Sequence, residues 1–414
     1  MRFFHLADLH FGKMIHGVSL LENGDQGYWV DQFLQLAEAE KPDAVVIAGD
    51  VYDRSAPTGD AVVLLSRFVT ALSDLHIPVM MTAGNHDSAQ RLSFAGPMLA
   101  RQGLHISRPL YETPELEHVT LEDEYGPVTF WLMPYVFPTL IAQALGEDAP
   151  RDNDAAVRAL LERQDLDAAA RNVLVAHQNV TAGGVEATRG GSETMVGGVG
   201  QIDYTAFDAF DYAALGHIHA AYPVGRETVR YAGSPLCYHF NEIHQPPKGP
   251  LLVELGAKGD PVRTTLFPIE PLHPMRELRG TFRELRDSEL AIPRKGEYLR
   301  LVLTDCRLSP EISAFFDGLA RERGSILMDR CSEYNPFAAD AGLPTARAVE
   351  QKSVDELFGA FYAERSAGEL PSEDDLAFLH FAQELSQHAD IHAEPGEKEI
   401  GRLLSFLLEQ EGDA

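Results

Sequence analysis

The stretch DAVVIAGDVYD (residues 43–53) sets a five-residue apolar run directly before a glycine and two carboxylates, Asp50 and Asp53. A run of four to eight residues rich in Val and Ile has the length and composition of a strand buried on both faces. Four other stretches share this design. RFFHLA (2–7) leads into Asp8-Leu9-His10, and IPVMMTAG (77–84) into Asn85-His86-Asp87. NVLVA (172–176) leads into His177, and YAALG (212–216) into His217-Ile218-His219. Longer amphipathic segments at 29–40, 60–75, 88–101 and 153–164 lie between them and are predicted as helices. Strand–helix alternation of this kind predicts a layered α/β fold. From about residue 228 the runs TVRYAGS, PLLVEL and VRTTLF succeed one another without helices, which predicts an antiparallel finish to the sheet.

Prolines at 268, 271 and 274 mark a first boundary. Beyond it the pattern predicts a compact β-α-β-α-β unit. A second boundary falls in the loop-like stretch 335–350, which carries Pro336 and Pro344. The expected division is therefore a main domain over 1–270, a small α/β domain over 271–345 and a helical segment over 346–414. In that last segment Ser353 and Glu356 have capping-box spacing, and Val354, Leu357, Phe358 and Phe361 share a helix face. Further helices are expected from Ser372 and around Ile400–Leu407.

Composition narrows the class. The 414 residues carry 34 Lys plus Arg against 63 Asp plus Glu, a formal charge of −29, with 45% hydrophobic residues. Those proportions fit a soluble globular protein and exclude collagen-like, disordered and disulfide-stapled classes. No apolar run is long enough to span a bilayer, and the opening MRFFHLADLHFG does not read as a signal peptide. Three scattered cysteines (Cys237, Cys306, Cys331) favour a reducing cytoplasm. The acidity repels phosphate, so a polyanionic substrate must be drawn in by bound metal ions, a small basic patch or a basic partner.

The chemistry lies just beyond each apolar run. In an open α/β sheet, ligands bind outside the carboxyl ends of the strands, so five strands deliver these side chains to one edge. Imidazoles, carboxylates and an amide oxygen without thiolate suit Mn²⁺, Fe²⁺ or Zn²⁺ in expanded coordination. There are too many groups for one ion. A pair of ions about 3.5–4 Å apart sharing a carboxylate would use them all, in the arrangement that clamps an in-line phosphoryl displacement.

The ordered set DLH, GDVYD, GNHD, AHQ and GHIH resembles the calcineurin-like metallophosphoesterase superfamily. Within it the chain is similar to the nuclease subunits of bacterial double-strand-break complexes. HLADLHFGK, VLVAHQNVTAG, FDYAALGHIH, VRYAGSPLCYHFNE and PLHPMRELRG carry that likeness. The family usually has Ser or Thr before the first aspartate, where this chain has Ala7. The resemblance implies an α/β/β/α sandwich with a small capping domain and C-terminal helices. It implies one divalent ion, manganese, on Asp8, His10, Asp50 and His219, and a second on Asp50, Asn85, His177 and His217. His86 is then a non-ligand acid beside the ions, Asp87 either orients it or caps the next helix, and Asp53 supports a ligand histidine. Partners implied are DNA ends and hairpins, a second copy of the chain, and a coiled-coil ATPase docked on the C-terminal helices.

Arg54 and Arg189 are candidate phosphate contacts, the latter in the glycine-rich loop 183–200. His5, His76, His105, His118, His239, His244 and His273 read as structural or solvent-facing. No G-x-x-x-x-G-K-[ST] loop is present, so ATP bound in that mode belongs to a separate polypeptide. The competing readings are a small-molecule phosphodiesterase or protein phosphatase on the same fold, and a non-catalytic DNA-end scaffold. The complete ligand set speaks against the scaffold, and the roughly 140 residues beyond the main domain speak for the nuclease.

Overall fold

A computed structural model of the chain describes residues 1–110, 114–136, 138–146, 150, 152–184, 200–288 and 293–334, with isolated positions (358, 359, 362, 370–372, 375, 376 and 379) beyond. It divides into two compact units, Met1–Tyr334 and Asn335–Ala414. The helices expected at 353–361, 372–385 and 400–407 lie outside the described residues, save for those isolated positions.

Two six-stranded sheets make up most of the first unit. In chain order the first sheet contains β1 (Arg2–Leu6), β2 (Ala44–Ala48), β3 (Val79–Thr82) and β4 (Leu104–Ile106). The second contains β5 (Glu117–Asp123), β6 (Gly126–Met133), β7 (Arg171–His177), β8 (Tyr212–Gly216), β9 (Tyr222–Val224) and β10 (Arg226–Tyr231). The chain then returns to the first sheet with β11 (Leu251–Glu254) and β12 (Arg263–Leu266). Spatial orders are β12-β11-β1-β2-β3-β4 and β9-β10-β8-β7-β6-β5. β1 to β4 are mutually parallel, as are β6, β7, β8 and β10.

Strand alternation builds the layers. Phe3, Val46 and Met80 point from the first sheet into a layer shared with Phe130, Val173, Val175 and Tyr212 of the second. Phe4, Val45 and Ile47 point the other way, against Trp29 and Phe33 of α1 (Asp25–Glu40) and Phe68 of α2 (Gly59–Asp74). On the far side of the second sheet, Leu174 and Leu215 meet Val157 and Leu160 of α3 (Asn153–Glu162). The result is the α/β/β/α sandwich.

Three details depart from the sequence reading. The expected antiparallel finish holds for β11 and β12, but β10 runs parallel to β8. The helix expected over 88–101 breaks into Ala89–Leu92 and Gly96–Leu99, because Ala95 takes a left-handed φ of 56°. The β5–β6 hairpin was not anticipated. β5 (EHVTLED) lies at the sheet's edge and alternates half-buried with exposed, so its polar residues hide the strand.

The unit ends in the expected β-α-β-α-β pattern. β13 (Met275–Gly280), β14 (Tyr298–Leu303) and β15 (Ile326–Ser332) form a parallel three-stranded sheet. α4 (Phe282–Asp287) opens on a Thr281–Glu284 capping box, and α5 (Pro310–Glu322) opens on Ser309 with proline in its first turn. Asp25 at the start of α1 ties this sheet to the sandwich, accepting from the Tyr298 hydroxyl at 2.6 Å and lying 2.9 Å from His273 Nδ1.

Candidate metal centre

The site residues lie where the carboxyl ends of β1, β2 and β3 in one sheet meet those of β7 and β8 in the other. Two sheets share the task that the sequence suggested for one. Backbone hydrogen bonds tie the loops together: Asp8 N–H donates to Gly49 O (3.0 Å) and His10 N–H to Asp50 O (2.9 Å). Asp8, His10, Asp50 and His217 all take positive φ (53°, 42°, 48° and 109°). Such backbone costs roughly 1–3 kcal/mol per residue and persists where the surroundings over-determine it.

Two glycines of the motifs are explained by close approach. A Cβ at residue 84 would lie 2.1 Å from Asp50 Oδ1, and one at residue 216 would lie 1.9 Å from Ala48 O. Side chains at these strand ends would push the ligand segments apart.

Asp8, His10, Asp50, His177, His217 and His219 are each no more than 5% exposed. Asp8, His10 and His219 form one group able to hold an ion, and Asp8, Asp50 and His177 form another. Asp8 belongs to both, and Asp50 joins His10 and His86 in a third. Asp50 Oδ2 lies 3.5 Å from His10 Nε2 and 3.4 Å from His177 Nε2, while Oδ1 accepts from His86 N–H at 2.9 Å. Asn85 Oδ1 lies 3.0 Å from His177 Nε2 and 3.1 Å from His217 Nδ1. His217 N–H donates to Asp8 Oδ1 at 3.0 Å, joining the two sheets.

The donor set fits divalent cations. His177 Nδ1 lies 2.8 Å from the Ala48 carbonyl, which can only accept, so Nδ1 carries a proton. A neutral His177 would then aim the Nε2 lone pair at the Asn85 oxygen. With the amide oxygen facing the ring, a cation or a second proton between them satisfies both groups. In the metal-free site the proton serves: although burial acts to lower His177, the Asp50 and Asp8 carboxylates outweigh it and raise it to about 9. Among the described residues neither ring nitrogen of the buried His10 makes a hydrogen bond, the Asp50 and Asp53 carboxylate oxygens standing 3.5 Å away, and burial lowers that imidazole to about 4. Burial also raises Asp8 to about 6. At Asp50 burial acts upward too, but His177, His10 and His86 outweigh it and hold the carboxyl well below its usual range.

The remaining predicted residues fall in distinct places. His86 is half-buried and lies within ligand range of His10 and Asp50; its Nδ1 is 2.9 Å from the Asp53 carbonyl. Asp53 Oδ1 lies 3.5 Å from His10 Nδ1 and accepts from Lys13 Nζ at 2.8 Å. Asp87 neither orients His86 nor caps the following helix. Its carboxylate accepts from the N–H groups of Val51 (3.0 Å), Tyr52 (2.9 Å) and Gly84 (2.9 Å), stapling two ligand loops together, and Ser88 caps the helix. Arg54 is largely exposed, its Nε 3.8 Å from Asp53 Oδ2. Arg189 lies outside the described residues.

A family model for calcineurin-like phosphoesterases matches residues 1–221. The chain belongs to the calcineurin-like phosphoesterase family. It is accordingly a metal-dependent phosphoesterase, and divalent ions are the cofactors of the family. Among curated proteins, this phosphoesterase is 32% identical to the D subunit of nuclease SbcCD from Staphylococcus saprophyticus over 308 residues, spanning 73% of the chain and 78% of that protein. It is 29% identical to the D subunit of nuclease SbcCD from Staphylococcus epidermidis over 308 residues, spanning 74% and 79%. The crystal structure of TT1561 of Thermus thermophilus aligns with 64% of this chain and 98% of its own at 11% identity and a TM-score of 0.36, too loose a likeness to carry an argument.

Sequence reasoning passed over several residues that shape the site. Tyr238 donates its hydroxyl to the carbonyls of Asp8 (3.1 Å) and Leu9 (2.8 Å), and its ring meets those of His10 and His219 edge-on. Gln26 Nε2 donates to His10 O at 2.8 Å. Glu242 Oε1 lies 3.2 Å from His219 Nδ1. None comes directly after an apolar run, which was the signal in use.

Proposed function

We propose that this chain is the nuclease subunit of an SbcCD-type complex, acting in break processing, repair and recombination. It hydrolyses DNA phosphodiesters with two manganese ions, as an exonuclease on duplex ends and an endonuclease on single strands and hairpins. The observation that carries this is the 308-residue likeness to the D subunit of nuclease SbcCD, longer than the family match over residues 1–221.

One ion falls to Asp8, His10, Asp50 and His219, the other to Asp50, Asn85, His177 and His217, with Asp50 shared. Bound there, the pair supplies Lewis acidity toward phosphoryl oxygens and an activated water. His86, held through Nδ1 by the Asp53 carbonyl, presents Nε2 as the acid for the leaving oxygen. Asp53 steadies His10, Asp87 holds the loops in register, and Arg54 and Arg189 meet the DNA backbone.

A net charge of −29 opposes DNA on its own. An SbcC-like coiled-coil ATPase, docked on the segment 346–414 where helices are expected, brings the basic surface and the ATP dependence. Two copies of each chain make a cytoplasmic heterotetramer. The 1–270, 271–345 and 346–414 segments are its nuclease, capping and docking parts.

The test is to incubate the purified chain with labelled linear duplex and hairpin DNA in Mn²⁺, Mg²⁺ or chelator, with and without the ATPase. Manganese-dependent cleavage of both, gated by the partner, is expected. Hydrolysis of small phosphodiesters or phosphoproteins with intact DNA would refute the nuclease reading.

A further inference from the structure

Behind the metal centre, the loop between β10 and β11 holds a buried polar chain that reaches the ions' ligands without facing substrate. Glu242 is 1% exposed. Its Oε1 lies 3.2 Å from His219 Nδ1, and its Oε2 accepts from Tyr238 N–H (3.2 Å) and Lys248 Nζ (3.0 Å). Lys248 Nζ also reaches His219 O (2.6 Å), Ser234 Oγ (3.0 Å) and Gln245 Oε1 (3.0 Å). The ammonium thus binds the carboxylate that touches the His219 ring and the backbone that carries it.

A buried ion pair is a poor source of stability, because desolvation offsets its attraction, so this one calls for a geometric reason. A carboxylate paired with an ammonium only accepts, so the proton in the His219–Glu242 contact sits on Nδ1 and the lone pair of the neutral ring sits on Nε2. Carboxylates in this position orient metal-ligating imidazoles and raise their basicity.

We propose that Glu242, held in turn by Lys248, is the positioning carboxylate of His219. It sets the affinity of the ion assigned to Asp8, His10, Asp50 and His219, and leaves the second ion unaffected. This rests on the two-ion assignment of the proposed function. Glu242 belongs to no ligand group of either ion and acts on that ion through the His219 ring, while its other oxygen is held by Tyr238 N–H and Lys248 Nζ.

The test is calorimetric titration of Mn²⁺ into the metal-free full-length chain. The wild type should take up two ions. In Glu242→Gln one site should weaken by about 10–100-fold, the usual range for a lost outer partner, with the other unchanged. Glu242→Gln/Lys248→Met, which leaves no unpaired buried charge, should do the same if the single variant folds poorly. His219→Ala should weaken that same site, and adding Glu242→Gln to it should change nothing further, because the carboxylate acts through the ring it has lost. Wild-type affinity at both sites in the Glu242 variants would overturn the proposal, even if they melted earlier. A wild type that binds no manganese would instead bring down the two-ion reading itself.

Discussion

The two sheets bring different chemistry to the site. The first sends the oxygen donors, Asp8, Asp50 and Asn85, with a single assigned imidazole, His10. The second sends only imidazoles: His177, His217 and His219. Under the proposed assignment each ion draws on both sheets, one through Asp8, His10, Asp50 and His219, the other through Asp50, Asn85, His177 and His217. The negative charge therefore lies on one side of the interface and the neutral nitrogen donors on the other. Neither sheet alone completes the ligand set of either ion, so under that assignment each ion acts as a staple between them.

Removing the residue common to both ions should have the largest effect. Asp50→Ala should lower the rate of Mn²⁺-dependent phosphodiester hydrolysis by at least about 10³-fold, the upper end of what deleting one electrostatic stabiliser costs. Retained turnover would break the picture of a shared carboxylate. His86 sits beyond a strand of the first sheet and is assigned to neither ion, so it separates binding from chemistry. His86→Leu should keep both manganese ions in a binding isotherm and lose about 10²–10⁴-fold in turnover, as for a deleted general acid. Loss of an ion instead would move His86 into the ligand set, where its approach to His10 and Asp50 already allows it.

The staple itself is tested by stability. Binding that favours the folded state stabilises by RT ln(1 + [L]/Kd), about 2.7 kcal/mol at a hundredfold excess over Kd. Manganese should therefore raise the denaturation midpoint of the wild-type chain, and chelator should reverse it. Asn85→Ala in the first sheet and His217→Ala in the second should each lose part of that gain, since the two side chains share one ion. A variant of either sheet that kept the whole increment would show the ion held from one side only.

The comparison also explains what the sequence reading reached. Strand ends bearing ligands were legible because an apolar run leading into Asp, Asn or His is a local signal, repeated five times. The small β-α-β-α-β sheet was legible for the same local reason. Strand direction was not: β10 reads like its antiparallel neighbours, and only its pairing with β8 makes it parallel. Asp87 looked like a catalytic partner of the adjacent His86, but it spends its carboxylate on the N–H groups of Val51 and Tyr52, more than thirty residues away. Glu242 and Lys248 reach His219 across 23 and 29 residues, a separation at which a lone acid or base carries no local signal.

The smallest expected effect concerns the contact between the sheets just below the ions. His5 of β1 lies between Tyr212 OH (3.0 Å from Nδ1) and Leu215 O (3.2 Å from Nε2), both on β8. The carbonyl only accepts, so Nε2 carries the proton and Nδ1 accepts from the Tyr212 hydroxyl. A second proton would leave that hydroxyl without its acceptor, and burial lowers His5 to about 3. In the unfolded chain the imidazole titrates near 6.5. Between those values the unfolded state binds one proton more, so this group's contribution is full above pH 6.5 and declines as pH falls, by up to about 1.4 kcal/mol per pH unit. Denaturant titrations of the metal-free chain at pH 6.5 and 5.5 should show the wild type losing about 1 kcal/mol more than His5→Gln, whose side chain does not titrate. Parallel losses in the two proteins would mean that protonated His5 finds a partner between the sheets, and that the join beneath the ions is more forgiving than its burial implies.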